Sequence, residues 1–95
     1  MKLEELRKEL EVIVSNINSL GFSEIKADTI EKLENFSTCA NELGMKQGKQ
    51  LINNLAGVIK AIHEGKSTTE SGMLRLTALD FYLKKLSGND NIEEL

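Results

Sequence analysis

Residues 2–20 read KLEELRKELEVIVSNINSL, and the spacing of their leucines and isoleucines decides the fold class. Apolar residues return every three or four positions, which places them along one face of an α-helix. Gly21 follows the last of them, where glycine can take a left-handed conformation and end a helix. The stretch therefore predicts an amphipathic first helix. Its apolar seam consists of Leu3, Leu6, Leu10, Ile13, Ile17 and Leu20.

The same periodicity predicts three further helices, over residues 28–43, 45–63 and 69–86. Each carries apolar residues at helical spacing, with charged and amide side chains between them. The predicted inward positions are Ile30, Leu33, Phe36 or Ser37, Ala40 and Leu43; Leu51, Ile52, Leu55, Val58, Ile59 and Ile62; and Met73, Leu76, Leu79 or Asp80, Leu83 and Leu86.

Helices of this length with short connections favour an antiparallel up-down arrangement. Asp28 is predicted to cap the second helix, because Glu31 three residues later completes the form of a capping box. The predicted fold is an all-α, antiparallel up-down four-helix bundle. It forms a single domain over residues 1–88, followed by a flexible tail at 89–95.

Composition excludes several classes of function. The chain has 95 residues, 12 lysines and arginines and 15 acidic residues, so its net charge of −3 gives no case for nucleic acid or an anionic membrane surface. No apolar run approaches the roughly 20 residues of a membrane-spanning helix, and the charged start has no signal-peptide core. Cys39 and His63 are the only residues of their types, which excludes an internal disulfide and a Cys/His zinc site. We expect a cytoplasmic protein without metal or cofactor.

Residues 33–44 read LENFSTCANELG. This stretch resembles the active helix of histidine phosphotransfer domains, whose pattern is Ala-His-x-Leu-Lys-Gly-(small)-(small)-x-x-Leu-Gly. Phe36 falls on the leucine of the family. Cys39 and Ala40 fall on its two small residues, and Leu43 and Gly44 fall on the closing Leu-Gly.

The second half of the chain is similar to the same family. Residues 51–62 resemble its third helix. The runs at 64–66, 68–70 and 78–80 resemble the chemotaxis-kinase version of the domain, where an EGK turn precedes a TPE cap and a final helix containing ALD. The resemblance implies a four-helix bundle in two-component or chemotaxis signalling.

The sequence departs from the family where the chemistry occurs. Glu34 stands at the position of the phosphoacceptor histidine, and Ser37 and Thr38 stand at its Lys-Gly. Phosphotransfer requires an imidazole nitrogen that forms a transferable phosphoramidate, which a carboxylate does not supply. The resemblance therefore implies a domain that does not carry a phosphoryl group at this position.

The resemblance predicts a docking surface instead of an active site. Its partner would be a response-regulator receiver domain or another signalling protein, and Glu34 would place a fixed negative charge where a phosphohistidine would sit. The simpler interpretation is that Glu34 is an ordinary solvated glutamate on a helix. The predicted partner-binding residues are Glu34, Asn35, Thr38 and Asn41, with Gly48 on the neighbouring helix.

Two other functions stay open. The chain could be a structural or oligomerising bundle, with the seam of the first helix pairing between two copies. It could also be a receiver phosphatase, because Glu31 and Asn35 lie one helical turn apart and resemble the acid and amide pairs that orient an attacking water. The second alternative is the only enzyme among the hypotheses.

Four residues have types that raise separate hypotheses, namely His63, Cys39, Gly48 and Gly57. His63 suits the C-terminal end of the third helix through the helix dipole, and its other possible role is that of an alternative phosphoacceptor, with Lys66 three residues later. Cys39 is predicted to be a small core residue, since no base accompanies it. Gly48 and Gly57 interrupt a helix, where each costs about 1 kcal/mol relative to alanine. Such glycines indicate close helix packing or a surface where a partner approaches the backbone.

Overall fold

The computed structural model describes residues 1–88 of the chain, and within them it contains four α-helices, one short 3-10 helix and no strand. The all-α prediction is confirmed. The tail predicted for residues 89–95 lies outside the described residues. The helices are α1 (Leu3–Leu20), α2 (Ala27–Glu42), α3 (Lys46–His63) and α4 (Thr69–Gly88).

The four helices pack in a closed ring. α1 contacts α2 and α4, and α3 contacts the same two helices from the other side. This neighbour pattern and the short connections are those of the predicted up-down bundle. Apolar side chains from all four helices fill the centre. The fully buried large side chains are Leu6, Leu10, Ile17, Leu33, Met45, Ile52, Leu55, Ile59, Leu76, Leu79 and Leu83.

The start of α2 differs from the prediction. The helix begins at Ala27 with Lys26 as its N-cap residue, and no side chain caps it. Asp28 lies inside the first turn, so the predicted capping box is wrong. Its carboxylate still complements the positive end of the helix dipole from there. In α4, by contrast, Thr68 is a side-chain cap, because the backbone N–H of Ser71 donates to Thr68 Oγ1 at 3.2 Å.

The connection between α1 and α2 contains a 3-10 helix, Phe22–Glu24, that the sequence pattern did not predict. Phe22 and Ile25 are both buried and cover one end of the bundle. His63 at the end of α3 donates from Nε2 to the backbone carbonyl of Phe22 at 3.0 Å. The short helix therefore closes the bundle and is held by the last residue of α3.

Three predicted core positions are wrong. Leu20, the last residue of the α1 seam, is 58% exposed, Leu43 directly after α2 is 36% exposed, and Met73 in α4 is 42% exposed. Leu20 and Leu43 both lie at helix ends. In α4 the apolar residues surround the helix, so periodicity alone did not show which side faces the core.

Candidate functional site

The four predicted partner-binding residues of α2 are all exposed. Glu34, Asn35, Thr38 and Asn41 lie along the outer side of the helix, while Ser37 and Ala40 between them are buried. This alternation follows from the helical period, because residues three and four apart share a face. The middle of α2 therefore presents a continuous polar surface.

Glu34 connects this surface to α3. Its Oε2 lies 2.6 Å from Lys60 Nζ, and both side chains are about half exposed. An exposed ion pair of this kind contributes at most about 1 kcal/mol to stability. Its larger effect is on the charge of the surface, because Lys60 neutralises the negative charge that Glu34 would otherwise present alone.

The pair also identifies the side of α3 that borders this surface. Asn53, Gly57 and Lys60 are spaced by four and three residues, so they lie along the same side of α3. Asn53 and Gly57 are exposed, as Thr38 is. We call this surface the α2–α3 face. It consists of Glu34, Asn35, Thr38 and Asn41 on α2 and Asn53, Gly57 and Lys60 on α3.

Gly48, the fifth predicted residue, does not belong to this face. It is buried, and a Cβ placed on it would lie 2.9 Å from the hydroxyl oxygen of Tyr82 in α4. Gly48 therefore allows α3 and α4 to approach closely. Gly57 is different, because a Cβ there would meet no heavy atom of the described chain within 4 Å. Packing explains one glycine and leaves the other unexplained.

Gly57→Ala is expected to raise the free energy of unfolding by about 1 kcal/mol, because alanine restores helix propensity in open space. For a domain of this size the melting temperature would rise by about 4–8 °C. Gly48→Ala is the matched control, and the contact with Tyr82 should cancel or reverse its gain. Thermal and urea unfolding of both variants measures the difference. Equal gains would contradict the assigned packing.

The α2–α3 face offers carboxylate, amide, hydroxyl and ammonium groups. Thr38 Oγ1 donates to the backbone carbonyl of Glu34 at 3.4 Å, a local bond along α2. Cys39 is half-buried and packs against the core. The Nε2 of His63 is engaged by Phe22, as described above. The carboxylate, amide, hydroxyl and ammonium groups of the α2–α3 face suit hydrogen bonding to a partner protein.

Within residues 1–88 no three His, Cys, Asp or Glu side chains group as metal ligands would. None of the helices there has both the length and the apolar character required to cross a membrane.

Lys60 and Gly57 were not among the predicted site residues. One signal in the sequence pointed to Lys60, since α3 contains three lysines and no acidic residue while α2 is rich in acids. Such a charge contrast favours ion pairs between neighbouring helices. No signal separated Gly57 from Gly48, because both are helix-interior glycines.

The sequence matches no known family model, and no curated protein or solved structure is significantly similar to it. The resemblance to histidine phosphotransfer domains therefore depends on the short motifs of α2, α3 and α4.

Proposed function

We propose that this chain is a signalling adaptor, similar to a histidine phosphotransfer domain, that binds a receiver domain or another signalling protein without transferring phosphate. One observation carries the proposal. The position at which the family places its phosphoacceptor is exposed in the middle of α2, beside α3, and holds Glu34 paired with Lys60. The surface of a docking domain is kept there, while the group that phosphotransfer needs is replaced.

Gly57 supports the same proposal. Glycine lowers stability in a helix interior, and no packing contact requires one at the exposed position of Gly57. The absence of a side chain at this point lets the backbone of a partner helix approach α3 closely. Gly57 lies on the same side of α3 as Lys60, so the approach would occur beside the Glu34–Lys60 ion pair.

An NMR titration of this chain with receiver domains whose genes lie near its own tests the proposal. We expect the amide resonances of α2 and α3 that belong to the α2–α3 face to shift, and those of α1 to remain in place. Glu34→Arg should weaken binding about tenfold or more while leaving helicity unchanged, because it reverses a charge within the proposed contact. Glu9→Arg makes the same charge change at an exposed position of α1 and should bind normally.

A charge exchange separates docking from stability. In the double variant Glu34→Lys and Lys60→Glu the ion pair can still form, so the unfolding free energy should stay within about 0.5 kcal/mol of the original. The partner would meet the two charges in reversed positions, and binding should be lost. Undiminished affinity in this variant and in Glu34→Arg would contradict docking through the face.

The phosphatase alternative has one structural observation in its favour. Glu31 and Asn35 are both exposed and lie one turn apart on α2. An adaptor leaves the lifetime of a phosphorylated receiver unchanged, whereas a phosphatase shortens it. Mixing the chain with phosphorylated receivers distinguishes the two. Acceleration that disappears in Asn35→Ala would assign the phosphatase activity.

A further inference from the structure

α4 carries apolar residues on two opposite sides. Its inward side is buried, at Leu76, Leu79, Leu83 and Leu86. Its outward side is also apolar, and Leu74 and Phe81 are 72% and 62% exposed there. The α4 outer face consists of Glu70, Met73, Leu74, Thr77, Ala78, Phe81 and Lys85.

Exposed large apolar side chains that are contiguous mark an interaction surface. Leu74 and Phe81 are two helical turns apart, so they lie on the same line along the helix. Met73 and Ala78 widen this line into a patch. Lys85 borders the patch, because its ammonium lies 5.0 Å from the centre of the Phe81 ring.

Two copies of the patch are complementary when one copy is turned end to end relative to the other. Counted along the chain, Leu74 and Phe81 are equally far from the point between Thr77 and Ala78, on opposite sides of it. The same is true of Glu70 and Lys85. If two copies of α4 cross antiparallel at this point, Leu74 of each copy packs on Phe81 of the other, and the small central residues let the helix axes approach.

The charges fit the same arrangement. In the antiparallel crossing the Glu70 carboxylate of each copy meets the Lys85 ammonium of the other. Within residues 1–88 Glu70 forms no ion pair of its own. A parallel crossing would instead place like charges together. A two-fold axis that joins one patch to itself is the usual geometry of homodimers.

We propose that the α4 outer face is the interface of an antiparallel homodimer of this chain. The apolar seam of α1 is not available for this purpose, because Leu6, Leu10, Ile13 and Ile17 are buried in the core of a single copy. One helix face is smaller than the roughly 800 Å² per partner of a stable interface, so the dimer is a reversible one. α4 lies across the ring from α2, so dimerisation leaves the α2 side of the α2–α3 face open.

Sedimentation of the full chain tests the dimer over a concentration series that reaches about 1 mM. The average mass is expected to rise from the monomer mass of 10.6 kDa towards twice that value. Leu74→Asp should weaken association about tenfold or more by placing a charge in the apolar contact. Its helicity should be retained because the side chain is exposed. Leu20→Asp makes the same change at an exposed position of α1 and should associate normally.

Charge reversal tests the antiparallel register. Glu70→Lys and Lys85→Glu should each weaken self-association, because each brings two like charges together. A mixture of the two variants should associate as well as the original chain, since both ion pairs form again between unlike copies. A mixture no better than its components overturns this register.

Three other results would overturn the dimer. The first is a monomer mass throughout the concentration series. The second is association that Leu20→Asp abolishes and Leu74→Asp does not, which would assign the contact to α1. The third is a monomer in which removal of residues 89–95 shifts the amide resonances of the α4 outer face, which would show that the chain covers this face itself.

Discussion

Ser37→Lys is expected to lower the free energy of unfolding by about 3 kcal/mol. Ser37 is 4% exposed and lies on the inner side of α2, in line with Leu33 and Ala40, which are fully buried. A lysine there either loses the hydration of its ammonium or forces α2 away from the helices it packs against. Urea unfolding, followed by circular dichroism, measures the loss.

Two control variants isolate the cause. Thr38→Lys adds the same side chain one position later, on the exposed side of α2, and should change the free energy of unfolding by no more than about 0.5 kcal/mol. Ser37→Ala removes the hydroxyl at the buried position, and helix propensity favours it slightly. If Ser37→Lys were as stable as Thr38→Lys, the side chain at position 37 would reach solvent and the assigned packing of α2 would be wrong.

This prediction bears on the departure from the phosphotransfer pattern. In the pattern that residues 33–44 resemble, a lysine falls at the position of Ser37 and a glycine at that of Thr38. In this chain position 37 is buried, so a lysine there carries a stability penalty. The serine is therefore part of the packing between α2 and the rest of the bundle. A histidine introduced at position 34 alone would not reproduce the group of residues in that pattern.

Gly72→Leu is expected to lower the free energy of unfolding by about 2–3 kcal/mol, because the added side chain overpacks a filled space. Gly72 is buried near the start of α4. A Cβ placed there would lie 2.8 Å from Phe22 Cζ and 3.0 Å from Ile62 Cδ1. Phe22 is itself buried at the closed end of the bundle, so its ring has little room to move.

Gly57→Leu is the matched control, since it makes the same substitution in a helix interior that is open. The leucine gains helix propensity there, and stability should rise by up to about 1 kcal/mol. The two variants should therefore differ in the sign of their effect. A stable Gly72→Leu protein would show that the 3-10 helix and Phe22 can shift, and that the end of the bundle is less tightly packed than its contacts indicate.

Much of the fold was predictable because helical periodicity is a local property. The seam of α1 and the apolar positions of α3 repeat at the period of the helix, and the helix ends were predicted to within two residues. Gly44 and Gly65, which follow α2 and α3, both have positive φ, a conformation that glycine adopts without strain. The capping box at Asp28 failed because the N-cap residue is Lys26, two positions before the aspartate that the Asp-x-x-Glu spacing indicated.

The candidate surface was predictable on α2 and less so on α3. The exposure of Glu34, Asn35, Thr38 and Asn41 agrees with the face that the α2 pattern left polar. Gly48 and Gly57 could not be told apart, because a missing side chain has no amphipathic pattern of its own. Only their neighbours in space distinguish them, and those neighbours belong to other helices.

By itself the sequence determined four amphipathic helices and their approximate ends. These depend on the order of residues and on distances of a few positions along the chain. The tertiary structure decided that Lys60 pairs with Glu34, that Gly57 is open, and that α4 turns Leu74 and Phe81 outward. Each of these depends on how a helix is rotated against its neighbours. That rotation is set by the packing of the whole core, because an α4 that is apolar on both sides has no preferred orientation of its own.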